Sequence, residues 1–224
     1  MLKHKRLLQP FNRRTKDTKM SENINNLTDL KIYFLDNFDS FSYNLVDELS
    51  MLGSDLVVYR NNIDAQVIYD KMCAETKPVI LVLSPGPGTP TAAGCLMALI
   101  ELCKGRFPML GICLGQQALT QSYGGIIGHA GETVHGKSSI IELSEHPVFA
   151  GMGERMPVAR YHSLMATKVP DSVAVIAHYE SIPMAIYHRD DKALGYQFHP
   201  ESILTPNGAA LLQQSMQFLA SAQQ

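Results

Sequence analysis

The chain has 224 residues, 46% of them hydrophobic and 18% charged, a composition that suits one large globular α/β domain with a full core. No apolar run approaches the roughly 20 residues that span a bilayer, so no membrane partner is expected. The net charge of −2 is uneven: residues 1–20 hold seven Lys/Arg against Asp17 alone, which leaves 12 basic and 20 acidic residues, a formal −8, on the rest, and nucleic acid is not an expected partner of so acidic a body.

Residues 1–28 read as a disordered basic and polar extension, and the folded domain is expected over 29–224. The first 20 residues have little serine and no apolar core of a secretion signal. An unstructured extension ahead of Met20-Ser21, such as an upstream start would leave, is the preferred account of them, with a basic arm or a transit peptide as the alternatives. The four cysteines, Cys73, Cys95, Cys103 and Cys113, form no C-x-x-C pair. In a chain of this size they point to a reducing compartment, and the cytoplasm is the expected location.

In chain order, Lys31–Leu35 reads as a first buried strand. Asp39 is the expected N-cap of a helix that carries Phe41, Leu45, Leu49 and Leu52 on one face, with Gly53 at its C-cap. A strand at Leu56–Tyr59, a helix over 64–75 and a fully apolar strand at Val79–Leu83 follow. This strand–helix alternation predicts a parallel sheet covered on both faces. A helix over 92–104 places Cys95 and Cys103 where they pack. A strand from Pro108 to Ile112 then runs into a second helix-like segment that ends at Gly124-Gly125. Beyond it the pieces are short and strand-like: Ser138–Leu143, Val173–His178, Met184–His188 and Leu194–Phe198. The alternation Val173, Val175, Ala177 and Met184, Ile186 predicts hairpins exposed on one face, an antiparallel extension of the core sheet. Thr205-Pro206 reads as a cap and first-turn proline ahead of a last helix marked by Leu212, Met216 and Leu219. No repeat or second domain is evident.

Three stretches carry chemistry. Gly111-Ile112-Cys113-Leu114-Gly115 sets small residues two before and two after a cysteine, as a sharp strand-to-helix turn with an exposed nucleophile requires. The alternative is a packing cysteine between ordinary glycines. Ser84–Pro90, Ser-Pro-Gly-Pro-Gly-Thr-Pro, is stiffened by its prolines while its glycines keep free N–H groups at the carboxyl end of a central strand, where ligands bind in open α/β sheets. A plain turn is the alternative there. His199-Pro200-Glu201 follows a strand, and residues two apart in extended chain project the same way, so Glu201 can orient the His199 imidazole and stabilise its cation. That cation and the N-terminus of the helix after Cys113 both favour a thiolate. Alone, His199 and Glu201 would be a loop histidine and a surface acid. An independent cysteine turn reverses that weighting. Backbone N–H groups of Leu114 and of a glycine in the Pro85–Gly88 loop supply donors for a tetrahedral oxyanion. The residues therefore point to acyl transfer through a thioester, hydrolysing an amide or an ester.

Tyr161-His162-Ser163-Leu164 reads as a polar turn that presents a hydroxyl and backbone groups to a ligand or caps itself, and His135-Gly136-Lys137 as a turn entering a strand. No His, Cys and carboxylate spacing matches a metal site. Neither a phosphate loop nor a dinucleotide fingerprint is found; Gly124-Gly125 with Gly128 does not satisfy the latter.

Four motifs in order, DNFDSFSYNLVDEL (36–49), LSPGPGTP (83–90), GICLGQQAL (111–119) and GYQFHPES (195–202), resemble class I (triad-type) glutamine amidotransferases over residues 31–221. DNFDSFSYNL, VARYHSL (158–164) and ESILTPNG (201–208) are most similar to the glutaminases that serve anthranilate synthase; those of aminodeoxychorismate synthase share most of the pattern. The resemblance implies a three-layer α/β/α sandwich, flavodoxin-like, whose mainly parallel sheet has an antiparallel extension. It implies L-glutamine as substrate, with Cys113 attacking the side-chain amide, His199 as base and acid, and Glu201 orienting it. Gly86 and Leu114 would hold the oxyanion through their backbones. Gly86, Pro87, Gly88, Gln117, Ser163 and Leu164 would bind glutamine. The ammonia would pass to a chorismate-binding synthase subunit, component I of the pair, giving anthranilate for tryptophan or, as the alternative, aminodeoxychorismate for folate. A non-catalytic binding module or a free-standing cysteine hydrolase fits less well with an intact triad in a partner-dependent family. No metal or cofactor is expected in this subunit, while the partner is expected to need Mg2+. Gln116 departs from the family, which often has histidine there, at a position outside the triad. Deleting residues 1–19 is expected to leave the unfolding midpoint and glutaminase activity unchanged; an insoluble or inactive product would give the extension a role.

Overall fold

A computed structural model of the chain describes residues 27–131 and 134–221. The expected extension lies outside these up to residue 26; Leu27 is already buried in the core. The parallel core is built from β1 (Lys31–Asp36), α1 (Ser42–Met51), β2 (Asp55–Arg60), α2 (Ala65–Ala74), β3 (Val79–Leu83), α3 (Leu96–Cys103), β4 (Met109–Ile112) and α4 (Leu114–Ser122). The extension holds β5 (Ile126–His129), β6 (Lys137–Leu143), β7 (Arg155–Arg160), β8 (Leu164–Lys168), β9 (Ala174–Tyr179) and β10 (Ile182–His188). β11 (Ala193–Tyr196) returns to the core, and α5 (Gly208–Ser221) ends the described chain.

Among the described residues, the main sheet runs β2-β1-β3-β4-β11-β10-β9-β6-β7, and β5 pairs with β8 in a separate ribbon. Every pair from β2 to β11 is parallel and every pair from β11 to β7 is antiparallel. This is the expected three-layer α/β/α architecture with an antiparallel extension. Alternate residues of the central strands serve opposite layers, as the two-residue period of a strand requires. Ile32, Phe34, Ile80 and Val82 pack with α1 and α5, whereas Tyr33, Leu35, Leu81 and Leu83 pack with α2, α3 and α4. The extension adds Ile141, Met156, Val158 and Met184 to the α1/α5 cluster, so the two halves share one core.

Several boundaries differ from those expected, for local or tertiary reasons. α1 starts at Ser42, so Asp39 is not its N-cap; its carboxylate accepts the Phe41 N–H at 2.7 Å in a turn just ahead of the helix. The helix expected from residue 92 begins at Leu96, because Gly94 bends the chain at φ 53 and Cys95 N–H donates to Asn61 O at 2.7 Å. β7 was not expected as a strand: Pro157 interrupts its pattern, and an edge strand tolerates it. β5 and β8, which has Leu164 at its start, were not expected either. In β9 the buried residues are Ile176 and Ala177, with Val175 exposed, and β10 is buried over Ile182–Ile186 rather than on alternate residues. Irregular pairing at Pro183 to Ile186 breaks the expected alternation.

Thr205 departs most usefully. It caps no helix, since α5 starts at Gly208. Its buried hydroxyl accepts from Ala159 N–H at 3.0 Å and donates to His199 O at 2.7 Å, while His199 N–H donates to Ala159 O at 3.1 Å. The far end of the sheet thus curls back onto the segment after β11. Thr205→Val is expected to destabilise the fold by about 1–3 kcal/mol in urea titration, because it leaves the Ala159 N–H buried and unpaired.

Candidate active site

β4 ends one residue before Cys113, which takes φ 51 and ψ −101, outside both helix and strand, and α4 begins at Leu114. The turn closes because glycines flank it. A Cβ on Gly111 would lie 2.5 Å from the Gly115 carbonyl carbon, and one on Gly115 would collide with Leu83 O. Cys113 N–H donates to Tyr196 O at 2.7 Å, which ties the turn to β11, and the residue is 7% exposed.

The loop after β3 comes alongside. A Cβ on Gly86 would sit 2.5 Å from Leu114 Cδ2 and 2.7 Å from Asn37 Cβ, so Gly86 lies against Leu114 with only its backbone to offer. No loop or cap hydrogen bond among the described residues uses the Gly86 N–H. The Leu114 N–H, at the first position of α4, has no partner within its helix. Buried Asn37 holds this loop: its N–H donates to Ser84 Oγ at 2.8 Å, its Nδ2 to Ser84 O at 3.0 Å, and its Oδ1 accepts from Asn61 Nδ2 at 3.1 Å. Pro87 and Gly88 continue the loop; Gly88 has φ 76 and open space around it.

His199 is 2% exposed and its Nδ1 lies 2.7 Å from Glu201 Oε1. Phe41 and Tyr161 cover the ring at centroid distances of 5.3 Å and 5.1 Å. Nε2 has no hydrogen-bond partner in geometric terms, yet Cys113 is near enough to act on it electrostatically. Burial opposes the imidazolium most strongly, but Cys113 and the Glu201 carboxylate together outweigh it and raise the His199 pKa well above the ordinary 6.5. Glu201 is itself buried, so His199 meets its charge where solvent screens it little. A thiol, an imidazole, a carboxylate and two backbone N–H groups therefore meet at the carboxyl edge of the sheet, an arrangement chemically able to form and hydrolyse an acyl thioester.

The class-I glutamine amidotransferase profile matches residues 33–218. Anthranilate synthase component 2 of Helicobacter pylori is 55% identical over 190 residues, covering 85% of this chain and 98% of that protein. Its counterpart in Haemophilus influenzae is 51% identical over 188 residues, 84% of this chain and 97% of that protein. In fold, a glutamine amidotransferase of Thermotoga maritima superposes with a TM-score of 0.63 at 15% identity, covering 85% of this chain and 98% of the other. The chain belongs to the class-I glutamine amidotransferase family.

The remaining residues singled out for glutamine stand in the same region. Gln117 is buried, and its Nε2 donates to Leu164 O and to Gln197 Oε1, both at 3.1 Å. Ser163 gives its carbonyl to Ala130 N–H at 2.9 Å and immediately precedes Leu164, the first residue of β8. Gln116, the family departure, is fully buried against Gly195, and neither amide atom has a hydrogen-bond partner; it makes no hydrogen bond to the triad. Phe41, Asn37 and Gln197 carry no functional signal in the sequence, and Tyr161 stands out there only as part of a polar turn, not as a cover for His199. Phe41 was legible only as one more apolar residue of a helix face, and the buried asparagine gave no sign of its partner 47 residues on. No helix among the described residues is long and apolar enough to cross a membrane.

Because His199 is raised above its unfolded value, its charge-dependent contribution to stability is fully present below about pH 6.5 and is lost as pH rises through the folded value. The difference in urea midpoint between the native chain and His199→Gln is therefore expected to shrink on the alkaline side. A difference that grows with pH would contradict the raised state.

Proposed function

We propose that this chain is the glutaminase subunit of an anthranilate synthase and supplies ammonia to a chorismate-using component I. The carrying observation is the buried His199–Glu201 pair, 2.7 Å apart, set against Cys113 on its strained turn. In this reading the Cys113 thiolate attacks the side-chain amide carbon of L-glutamine, and the carbonyl oxygen becomes an oxyanion between the Gly86 and Leu114 N–H groups. His199 gives its Nε2 proton to the departing nitrogen, so ammonia leaves and a γ-glutamyl thioester remains on Cys113. Neutral His199 then takes a proton from water, which attacks the thioester; glutamate leaves and the thiolate returns. Glu201 keeps the imidazole oriented and stabilises its charged form throughout.

Gly86 to Gly88, Gln117, Ser163 and Leu164 are the proposed contacts for the amino-acid part of glutamine. Gln117 Oε1 is not used in the bonds that hold its Nε2, which suits it to accept from a substrate ammonium or amide. These steps need no metal or cofactor from this chain, and Mg2+ would serve the partner. The partner is expected over the same edge of the sheet: Ile203, 95% exposed, lies two residues past Glu201, and exposed Phe38 and Tyr43 follow β1 beside the Gly86 loop. A cytoplasmic setting agrees with four free cysteines. The two named relatives, at 51% identity and above, favour anthranilate over aminodeoxychorismate as the product.

With component I present, Cys113→Ser is expected to abolish glutamine-dependent anthranilate formation and to leave ammonia-dependent formation intact. Retained glutamine use would refute the nucleophile. Stimulation by an aminodeoxychorismate synthase partner, with none by component I, would refute the partner.

A further inference from the structure

The fully buried amide of Gln197 belongs to none of the roles assigned above. Its Nε2 lies 3.6 Å from Cys113 Sγ, within range for a hydrogen bond to sulfur, and its Oε1 lies 3.1 Å from Gln117 Nε2. The chemistry of the neighbours settles which end of each amide points where. Arg160 has no acceptor, so its Nε donates to His162 Nε2 at 3.1 Å, and His162 carries its proton on Nδ1, which donates to Leu164 O at 2.9 Å. Leu164 O is an acceptor only, so the Gln117 group facing it must be the NH2. The same NH2 faces Gln197 and fixes the Gln197 oxygen toward it, which leaves the Gln197 NH2 aimed at the sulfur. Flipping either amide would set two donors, or two acceptors, against each other in a dry site.

We propose that Gln197 is a further catalytic residue, whose Nε2–H donates to Cys113 Sγ and holds the sulfur as a thiolate opposite His199. Gln117 is a positioning residue that acts through it by locking its amide, and His162 shares the Leu164 carbonyl that anchors Gln117. A hydrogen bond to an anionic sulfur is worth more than one to a neutral thiol, so a fixed donor favours the attacking form. The backbone of Gln197 is fixed too, by its N–H on Met184 O at 2.9 Å. The ionisable groups facing this sulfur and its histidine are His199, with Glu201 behind it, Asp39, and the Tyr161 ring; Arg160 and His162 stand at the far end of the relay.

The inference rests on Cys113 being the nucleophile, and the test separates the two. Gln197→Met keeps length and apolar packing but removes the donor. In the full chain assembled with its synthase partner, kcat for glutamine hydrolysis is expected to fall by roughly 10–100-fold, with KM for glutamine changed by less than about threefold. In the full chain alone, the pH midpoint for alkylation by iodoacetamide, a property of the Cys113–His199 pair, is expected to rise by about one unit. A folded Gln197→Met with native kcat and midpoint overturns the proposal, as does a loss of stability with an unmoved midpoint. If the variant does not fold, the native chain decides: the Gln197 side-chain amide resonance should titrate with the alkylation transition, and a flat resonance overturns the proposal. Full glutaminase activity in Cys113→Ser would remove the nucleophile itself, whereas an inactive Cys113→Ser beside an unaffected Gln197→Met removes this inference alone.

Discussion

The backbone turn at Cys113 is the constraint on which the rest depends. A non-glycine residue at φ 51 and ψ −101 is costly by about 1–3 kcal/mol, and it persists only where its surroundings over-determine it. Here Tyr196 O takes its N–H, and its own carbonyl accepts from Gln117 N–H at 3.0 Å. On either side, Gly111 and Gly115 let strand, helix and Leu83 approach more closely than any side chain allows. The turn projects the thiol at the carboxyl edge of the sheet and puts the first N–H of α4 beside it. The thiol, the proposed oxyanion donor and the helix N-terminus thus come from one piece of local geometry.

Everything else in the site is brought to that turn by segments far away in sequence. The Gly86 loop is held by asparagines after β1 and β2. The His199–Glu201 pair is held by Thr205 and by Ala159 at the end of β7. The antiparallel extension has its clearest purpose here: by curling back, it delivers Ala159 to fix His199, Tyr161 to cover its ring, and Leu164 to fix Gln117. A buried imidazole next to a buried carboxylate and a thiol is electrostatically expensive unless each charge meets its opposite. His199 and Glu201, 2.7 Å apart, meet that condition.

The fold was legible to different degrees along the chain. The parallel half announces itself because its strands are buried on both faces and read as short apolar runs between amphipathic helices. The antiparallel half does not. β7 carries a proline, β9 and β10 lose their alternation to irregular pairing, and the β5–β8 ribbon sits outside the main sheet. Helix starts were misplaced where a side chain that looks like a cap has another use: Asp39 closes a turn ahead of the helix, and Thr205 bridges β7 to the segment after β11.

The sequence by itself pointed to the chemistry: a cysteine between glycines, a rigid glycine–proline loop and a histidine two residues from a glutamate are each ambiguous alone and indicate acyl transfer in combination. It also determined the family, since four such motifs recur in order. Tertiary structure alone decided how these groups are charged and held. The raised state of His199, the aromatic cover from Phe41 and Tyr161, and the amide relay ending on Cys113 Sγ depend on burial and on contacts between residues up to 84 apart, as between Gln197 and Cys113. Local sequence carries no record of such contacts, because a glutamine or an aromatic residue reads the same whether it fills a core or faces a sulfur.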